Sequence, residues 1–263
     1  MKLAVSNIGW SAEQDEAVFA LMKEYGFDGL EIAPTRIFTD APYERLSEAR
    51  EWSKTIKQRH GFTVPSMQSI WFGRGEKIFG TDSERAVLID YTKKAVDFAV
   101  AVGCGNLVFG CPRNRVFLDG AAYKTGIDFF KVIGEYALSN GVTIGMEANP
   151  SIYNTNYIND TASAFALIND VASVGFRLNL DTGTMLYNKE SVDMLSGKVQ
   201  LISHVHISEP WLKPIERRRL HTNLRDLLAQ EGYEGFVSIE MGRTDNIDDI
   251  RAAMKYVKEI FYE

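Results

Sequence analysis

The chain has 263 residues, 45% of them hydrophobic, and a formal net charge of −6 at pH 7, with a pI near 5.4. That length suits one α/β barrel with a full core, while the acidic balance argues against a surface built to neutralise a phosphate backbone. Two cysteines, Cys104 and Cys111, are too few for a disulfide framework and indicate a reducing compartment; with no signal-peptide core and no run near the ~20 apolar residues of a membrane span, a cytoplasmic location is expected, without nucleic acid or membrane as partner.

Short β-rich runs alternate with longer runs of helical spacing along the chain. The run 3–10 (LAVSNIGW) predicts a strand and 13–26 a helix; 29–33 (GLEIA) precedes a helix over 43–61, 62–69 (FTVPSMQS) one over 82–103, and 106–112 (NLVFGCP) one over 120–141. In the second half 143–148 (TIGMEA) precedes a helix over 161–175, 176–183 (FRLNLDTG) a short one over 191–197, 202–208 (ISHVHIS) one over 221–233, and 236–241 (FVSIEM) a last one over 247–263. Gly26, Gly61, Gly103, Gly141 and Gly175 are placed to close helices, where a left-handed residue costs least. Eight strand–helix units predict a parallel sheet closed into a single-domain (β/α)8 TIM barrel over 1–263. An open doubly wound sheet is the weaker alternative, since no G-x-G-x-x-G opens the first helix.

Side chains alternate faces along a strand, so the polar members of the late strands share one side. Phe176, Leu178 and Leu180 face the helices and leave Arg177, Asn179 and Asp181 toward the barrel axis; Val237, Ile239 and Met241 leave Ser238 and Glu240 there. The same reading sends Ile144 and Met146 outward with Glu147 inward, and Val205 and Ile207 outward with His204 and His206 inward. Glu147, Asp181, His206 and Glu240 all lie near the C-terminal ends of strands five to eight, the face where barrel enzymes place their chemistry. Three carboxylates meeting in a barrel mouth demand protonation or a cation. A divalent metal answers this, and three carboxylate oxygens with one imidazole suit Mn²⁺, Mg²⁺ or Co²⁺ best, Zn²⁺ remaining admissible.

Glu147 in MEANP, Asp181 in NLDTG, His206 in HVHISE and Glu240 in SIEM, each at the end of a late strand, together resemble the metal set of the xylose isomerase-like TIM-barrel superfamily. The spacing is most similar to its sugar phosphate isomerase/epimerase group, with the ketose 3-epimerases and hydroxypyruvate isomerases, and the resemblance covers essentially the whole chain. It implies that these four residues bind one divalent metal ion, that Glu147 and Glu240 also shuttle protons, that a small carbohydrate is the substrate, and that the chain forms a homo-oligomer. Such chemistry also follows from the residue types: a cation chelated by a carbonyl and its neighbouring hydroxyl stabilises an enediolate, and two opposed carboxylates exchange protons with its faces. The chain departs from the ketose 3-epimerases at three substrate-contacting positions, with Thr184 for a histidine, Leu212 for an arginine and Tyr153 for a glutamate, so the pocket is expected to be rebuilt around a retained metal core.

The loops bring further candidates to that rim. Arg74, Arg115 and the cluster 217–219 are candidates for holding an anionic substrate group, against a reading as solvated loop charges. Trp71, Phe72 and Trp211 are candidates for walling a sugar's apolar face, or for packing under loops. Glu31 and Gln68 point inward near strand ends, as hydroxyl contacts or as polar residues of the barrel. Asn149 and Asn179 could orient ligands or bind water, and His204, a layer below His206, is expected to support it rather than bind the metal. The leading function is a metal-dependent sugar isomerase or epimerase. The alternatives are an inosose-type dehydratase on the same site, a repair endonuclease, disfavoured by the scarcity of histidines and the acidic charge, and a non-catalytic sugar-binding barrel.

Overall fold

Eight parallel strands lie side by side in the order β2-β1-β8-β7-β6-β5-β4-β3. They are β1 (Lys2–Ser6), β2 (Gly29–Glu31), β3 (Ser66–Met67), β4 (Asn106–Phe109), β5 (Thr143–Met146), β6 (Phe176–Asp181), β7 (Ile202–Ile207) and β8 (Phe236–Ile239). Bridges between Gly29 and Thr63 and between Ile32 and Met67 join the two ends and close the barrel. Around it lie α1 (Asp15–Tyr25), α2 (Pro34–Ile37), α3 (Leu46–His60), α4 (Asp82–Val102), α5 (Tyr123–Ser139), α6 (Thr161–Val171), α7 (Thr182–Asn188), α8 (Arg219–Gln230) and α9 (Ile247–Phe261). The computed structural model describes residues 1–118 and 120–262; Glu263, the last residue of the expected final helix, lies outside them. This is the (β/α)8 TIM barrel that the alternation predicts.

The core sits between strands and helices. Leu3, Val5, Leu107, Phe109, Ile144, Met146, Leu178, Leu180, Val205, Ile207, Val237 and Ile239, the outward residues of six strands, are all buried, each worth about 1.5–3 kcal/mol relative to exposure. The inside of the barrel is polar instead, with Ser6, Ser66, Asn106, Asn179, His204 and Ser238 equally buried. Gly145 leaves room for these to meet: a Cβ there would stand 2.9 Å from Asn106 Oδ1 and 3.1 Å from Ser203 Oγ.

Three local expectations are corrected. The helix expected over 191–197 is only a short 3-10 turn at Val192–Leu195, and the sixth unit's helix is α7, which starts directly after Asp181. The Asp181 carboxylate accepts the Thr184 backbone N–H at 2.6 Å and caps that helix, so the DTG triplet opens a helix rather than ending a strand. Helix α6 stops at Val171 with Ala172 left-handed at φ 51°, not at Gly175. Gly175 serves close approach, since a Cβ there would run into the Gly134 carbonyl of α5. Strand β3 holds only two residues of the expected 62–69, and Pro65, with no N–H, stands immediately before it.

Gly29 lies inside the barrel opposite Ala4, where an added Cβ would come within 2.6 Å of Ala4 Cβ and 2.8 Å of the Phe236 ring. Gly29→Ala should therefore destabilise the chain by about 1–3 kcal/mol, read as a lower urea midpoint at unchanged circular dichroism.

Candidate functional site

Four adjacent strands deliver one cluster. Glu147 follows β5, Asp181 ends β6, His206 lies in β7 and Glu240 follows β8. Asp181 stands opposite His206 in the sheet, while Glu147 N–H donates to Phe109 O at 3.1 Å and Glu240 N–H to Ile207 O at 3.0 Å. All four are thus hung on the ladder rather than on free loops. Between β6 and β7 the pairing slips: Leu178 faces Ile202, but Asn179 faces His204. Ser203 is the extra residue of that bulge, which brings His204 and His206 level with Asn179 and Asp181.

One candidate ligand atom from each of the four residues lies within 4.8 Å of the others. Metal–oxygen bonds of about 2.1 Å put opposite ligands about 4 Å apart, so a small closure brings all four onto one divalent cation. His206 Nδ1 is 3.0 Å from Glu147 Oε1 and 3.2 Å from Glu240 Oε2. Burial pushes Asp181 up to about 7, with the charges of Glu147 and Glu240 adding to the rise. Burial also raises Glu240. His206, which burial alone would lower, is held well above its ordinary value by Glu31 and Glu240. Such a site holds protons where a cation would otherwise sit, and cation binding would release them.

Below the cluster His206 is held from its other nitrogen, with Nε2 3.0 Å from Glu31 Oε2. Glu31 is fully buried and, although burial opposes it, the neighbouring His206 and His204 keep its carboxyl well below the usual range. His204 Nε2 lies 3.1 Å from the same oxygen but off the line of a hydrogen bond, and burial keeps that imidazole below its ordinary value. Gln68 donates to Glu31 Oε1 at 3.1 Å and to Ser6 Oγ at 2.8 Å. A carboxylate on the far nitrogen is the usual means of setting a metal-binding imidazole's tautomer and plane.

Above the cluster opens a pocket of about 190 Å³, lined by Gln68, Ser69, Val108, Gly110, Cys111, Pro112, Glu147, Asn149, Tyr153, Asp181, Ser208, Glu209, Leu212 and Glu240. A larger cavity of about 540 Å³ lies at the opposite end of the barrel around Arg177, His204 and Phe236. It holds none of the four clustered residues, so the smaller one is the site of interest.

Of the expected substrate contacts, Gln68, Asn149 and Tyr153 reach this pocket; Tyr153 accepts the Trp211 N–H at 2.8 Å, and burial raises its hydroxyl to about 12. The other expectations are corrected. Trp71 lies in the core, its indole N–H donating to Thr92 Oγ1 at 2.9 Å and its ring edge-on to Phe109. Thr184 is turned away, its hydroxyl donating to Ala148 O at 2.7 Å. Glu31 and His204 sit beneath His206, Glu31 as a polar residue of the barrel rather than a hydroxyl contact and His204 in the supporting place expected of it, while Arg115 is fully buried behind Asn149. Arg74 pairs with Glu76, Arg217 with Glu259 at 2.6 Å and Arg218 with Glu209 at 2.8 Å. Among the described residues, no Lys or Arg lines the pocket. Gly110, Ser208 and Glu209 were not anticipated; Ser208 donates to Asp181 Oδ2 and accepts the Gly183 N–H. Both Ser208 and Glu209 follow β7 directly, so continuing past His206 to the strand's end would have found them.

A family model described as xylose isomerase-like TIM barrel matches residues 19–260. No curated protein matches the chain. Among solved structures, a 3-keto-D-glucoside 4-epimerase from E. coli superposes with a TM-score of 0.78 at 20% identity, covering 98% of this chain and 99% of that one. D-psicose 3-epimerase from Clostridium cellulolyticum H10, with D-tagatose, gives 0.77 at 15% identity over 99% of both chains. An AP endonuclease, family 2, from Brucella melitensis gives 0.71 at 19%, over 98% of this chain and 97% of that one. Likeness at these identities carries the fold.

The raised Asp181 carries a consequence for stability. Its folded value of about 7 against an ordinary 3.8 means that its contribution is full below pH 4 and is lost as pH rises to about 7. With chelator present, Asp181→Asn should therefore melt higher than the parent chain at pH 8 and alike at pH 4. Adding Mn²⁺ at pH 8 should raise the parent's Tm and leave the variant's nearly unchanged; calorimetric scans check both.

Proposed function

The chain belongs to the xylose isomerase-like TIM-barrel family, and we propose that it is a divalent-cation-dependent isomerase or epimerase of an uncharged sugar. The observation that carries this reading is the gathering of Glu147, Asp181, Glu240 and His206 under a pocket whose wall offers amide, hydroxyl and carboxylate groups but, among the described residues, no cation. The donors are hard oxygens with one imidazole, which supports Mn²⁺, Mg²⁺ or Co²⁺. The bound cation would supply Lewis acidity, drawing electrons from a sugar carbonyl and its neighbouring hydroxyl and acidifying the adjacent C–H.

The rest falls to the chain's own side chains. Glu147 and Glu240 come from β5 and β8 and approach His206 Nδ1 from separate strands, which supports one carboxylate for each face of a planar carbon. One takes the proton, and the other returns one from the opposite face to invert the centre; return to the neighbouring carbon moves the carbonyl instead. Glu240, raised by burial, is suited to hold the proton between those events. Gln68, Asn149 and Ser69 on the wall would take the sugar's hydroxyls. The pocket's volume of about 190 Å³ is small beside the roughly 300–1,000 Å³ of sites that enclose drug-sized ligands, which favours a single sugar unit.

The test is deuterium incorporation from D₂O, by mass spectrometry, into neutral ketoses and aldoses, sugar phosphates and sugar acids incubated with Mn²⁺-loaded protein. At least one neutral sugar should take up deuterium, at a rate at least about 100-fold lower in Glu240→Gln. Uptake confined to phosphates or acids would refute the uncharged substrate. Mn²⁺ binding without uptake into any sugar would refute the carbon-acid reading.

A further inference from the structure

Arg115 is the one arginine among the largest fully buried side chains, and no carboxylate among the described residues pairs with it. It stands at the end of the 3-10 turn Pro112–Asn114 that follows β4. Buried arginines are ordinarily paired with an acid. Here Nε has no partner, Nη1 lies 3.7 Å from Met146 Sδ, and Nη2 donates to Asn149 Oδ1 at 2.6 Å. Burial lowers the group only to about 10, so it stays charged at neutral pH.

A guanidinium has donors only, which fixes the orientation of Asn149: its oxygen faces Arg115 and its NH₂ faces Glu147. Asn149 Nδ2 donates to Glu147 Oε2 at 2.9 Å. The carboxylate is thereby divided. Oε1 lies on the ligand side, 3.0 Å from His206 Nδ1 and 3.2 Å from Asn179 Nδ2, while Oε2 lies against Gly110, where any Cβ would come within 2.9 Å of it.

We propose that Arg115 and Asn149 form a positioning relay that locks the Glu147 carboxylate, directing Oε1 to the cation and Oε2 to the substrate side of the pocket. Arg115 touches neither; it acts through the amide it orients. Without the guanidinium, Asn149 is free to flip and present its oxygen to Oε2, turning an attraction into a repulsion. The relay rests on the cation-site reading above, and its test separates the two.

Mn²⁺ affinity is measured by calorimetry on the chelator-stripped full chain, with Tm recorded for each variant. Arg115→Met and Asn149→Ala should each weaken binding about tenfold. The double variant should bind no more weakly than the weaker single, because the two act in series, and Arg115→Lys, which keeps a donor for Asn149 Oδ1, should recover affinity to within about threefold of the parent. With any sugar found by deuterium uptake, kcat should fall in Arg115→Met at little-changed KM, whereas Asn149→Ala, which also removes an amide from the pocket wall, should lower kcat and raise KM together. Arg115→Met that lowers Tm but leaves Mn²⁺ affinity and kcat unchanged would overturn the relay, as would single effects that multiply in the double. If Arg115→Met does not fold, Asn149→Ala and Arg115→Lys carry the same comparison. A parent chain that binds no Mn²⁺ overturns the cation site and the relay together; a parent that binds while the variants bind equally overturns the relay alone.

Discussion

The mouth of this barrel is governed by the repulsion among Glu147, Asp181 and Glu240 around one imidazole. Two like unit charges 4 Å apart repel by about 4 kcal/mol at an effective dielectric of 20, and three such groups cannot all stay ionised without compensation. Relief by moving apart is closed off, because each side chain leaves a residue pinned in the sheet or at its edge. What remains is protonation or a cation. The raised Asp181 and Glu240 and the strongly basic His206 are the first of these. The second would remove the same strain with a single ion, so the arrangement that weakens the cation-free chain is the one that a bound cation would relieve.

That arrangement asks for a rigid floor, which explains why the inside of the barrel is polar. Barrel interiors are ordinarily filled by layers of branched apolar residues. Here Glu31, Gln68, Ser6 and His204 take their place beneath His206. Apolar side chains would fill that volume at least as well but could not fix the plane of the imidazole. The buried Glu31 carboxylate is tolerable because His206, His204 and Gln68 converge on it, and the charge it keeps in turn secures a proton on Nε2 of His206, so that Nδ1 is the nitrogen a cation would take. The core's stability is therefore drawn from the layer outside the strands, and the layer inside is given over to positioning.

How much of this was legible in the chain depended on periodicity. Glu147, Asp181, His206 and Glu240 could be found because alternation along a strand is strict and the C-terminal ends of barrel strands share one rim. The bulge at Ser203 carries no such pattern, yet without it the histidines of β7 would not stand level with Asn179 and Asp181. Loop side chains were the least readable. Arg115 follows a strand and looked free to meet a substrate, but Cys111 adopts a left-handed φ of 44° and the turn folds back, sending the guanidinium under the wall. Trp71 fails for the same reason, the direction of a turn being set by packing that sequence spacing does not encode; Thr184 fails because it lies in the first turn of α7, which aims its hydroxyl at Ala148 O. The start of α7 at Thr182 was hidden because Asp181 serves at once as cluster member and as helix cap, two roles that the sequence offers as alternatives, with the cap the lesser of them.

The fate of the arginines bears on the substrate as well. A phosphate or carboxylate site needs a guanidinium or ammonium with donors left over. Arg74, Arg217 and Arg218 are each turned toward an acid of their own chain, and Arg115 is spent on Asn149. Glu209, which lines the pocket, faces Arg218 from behind, so that guanidinium is neutralised before it reaches the opening. Three ionised carboxylates against the proposed divalent ion would leave the site one negative charge in excess, and an anionic substrate would enter against that field with no counter-charge to meet it. A sugar's hydroxyls meet no such barrier, and the amides of Gln68 and Asn149, each anchored by a charged neighbour, offer them groups already held in one orientation.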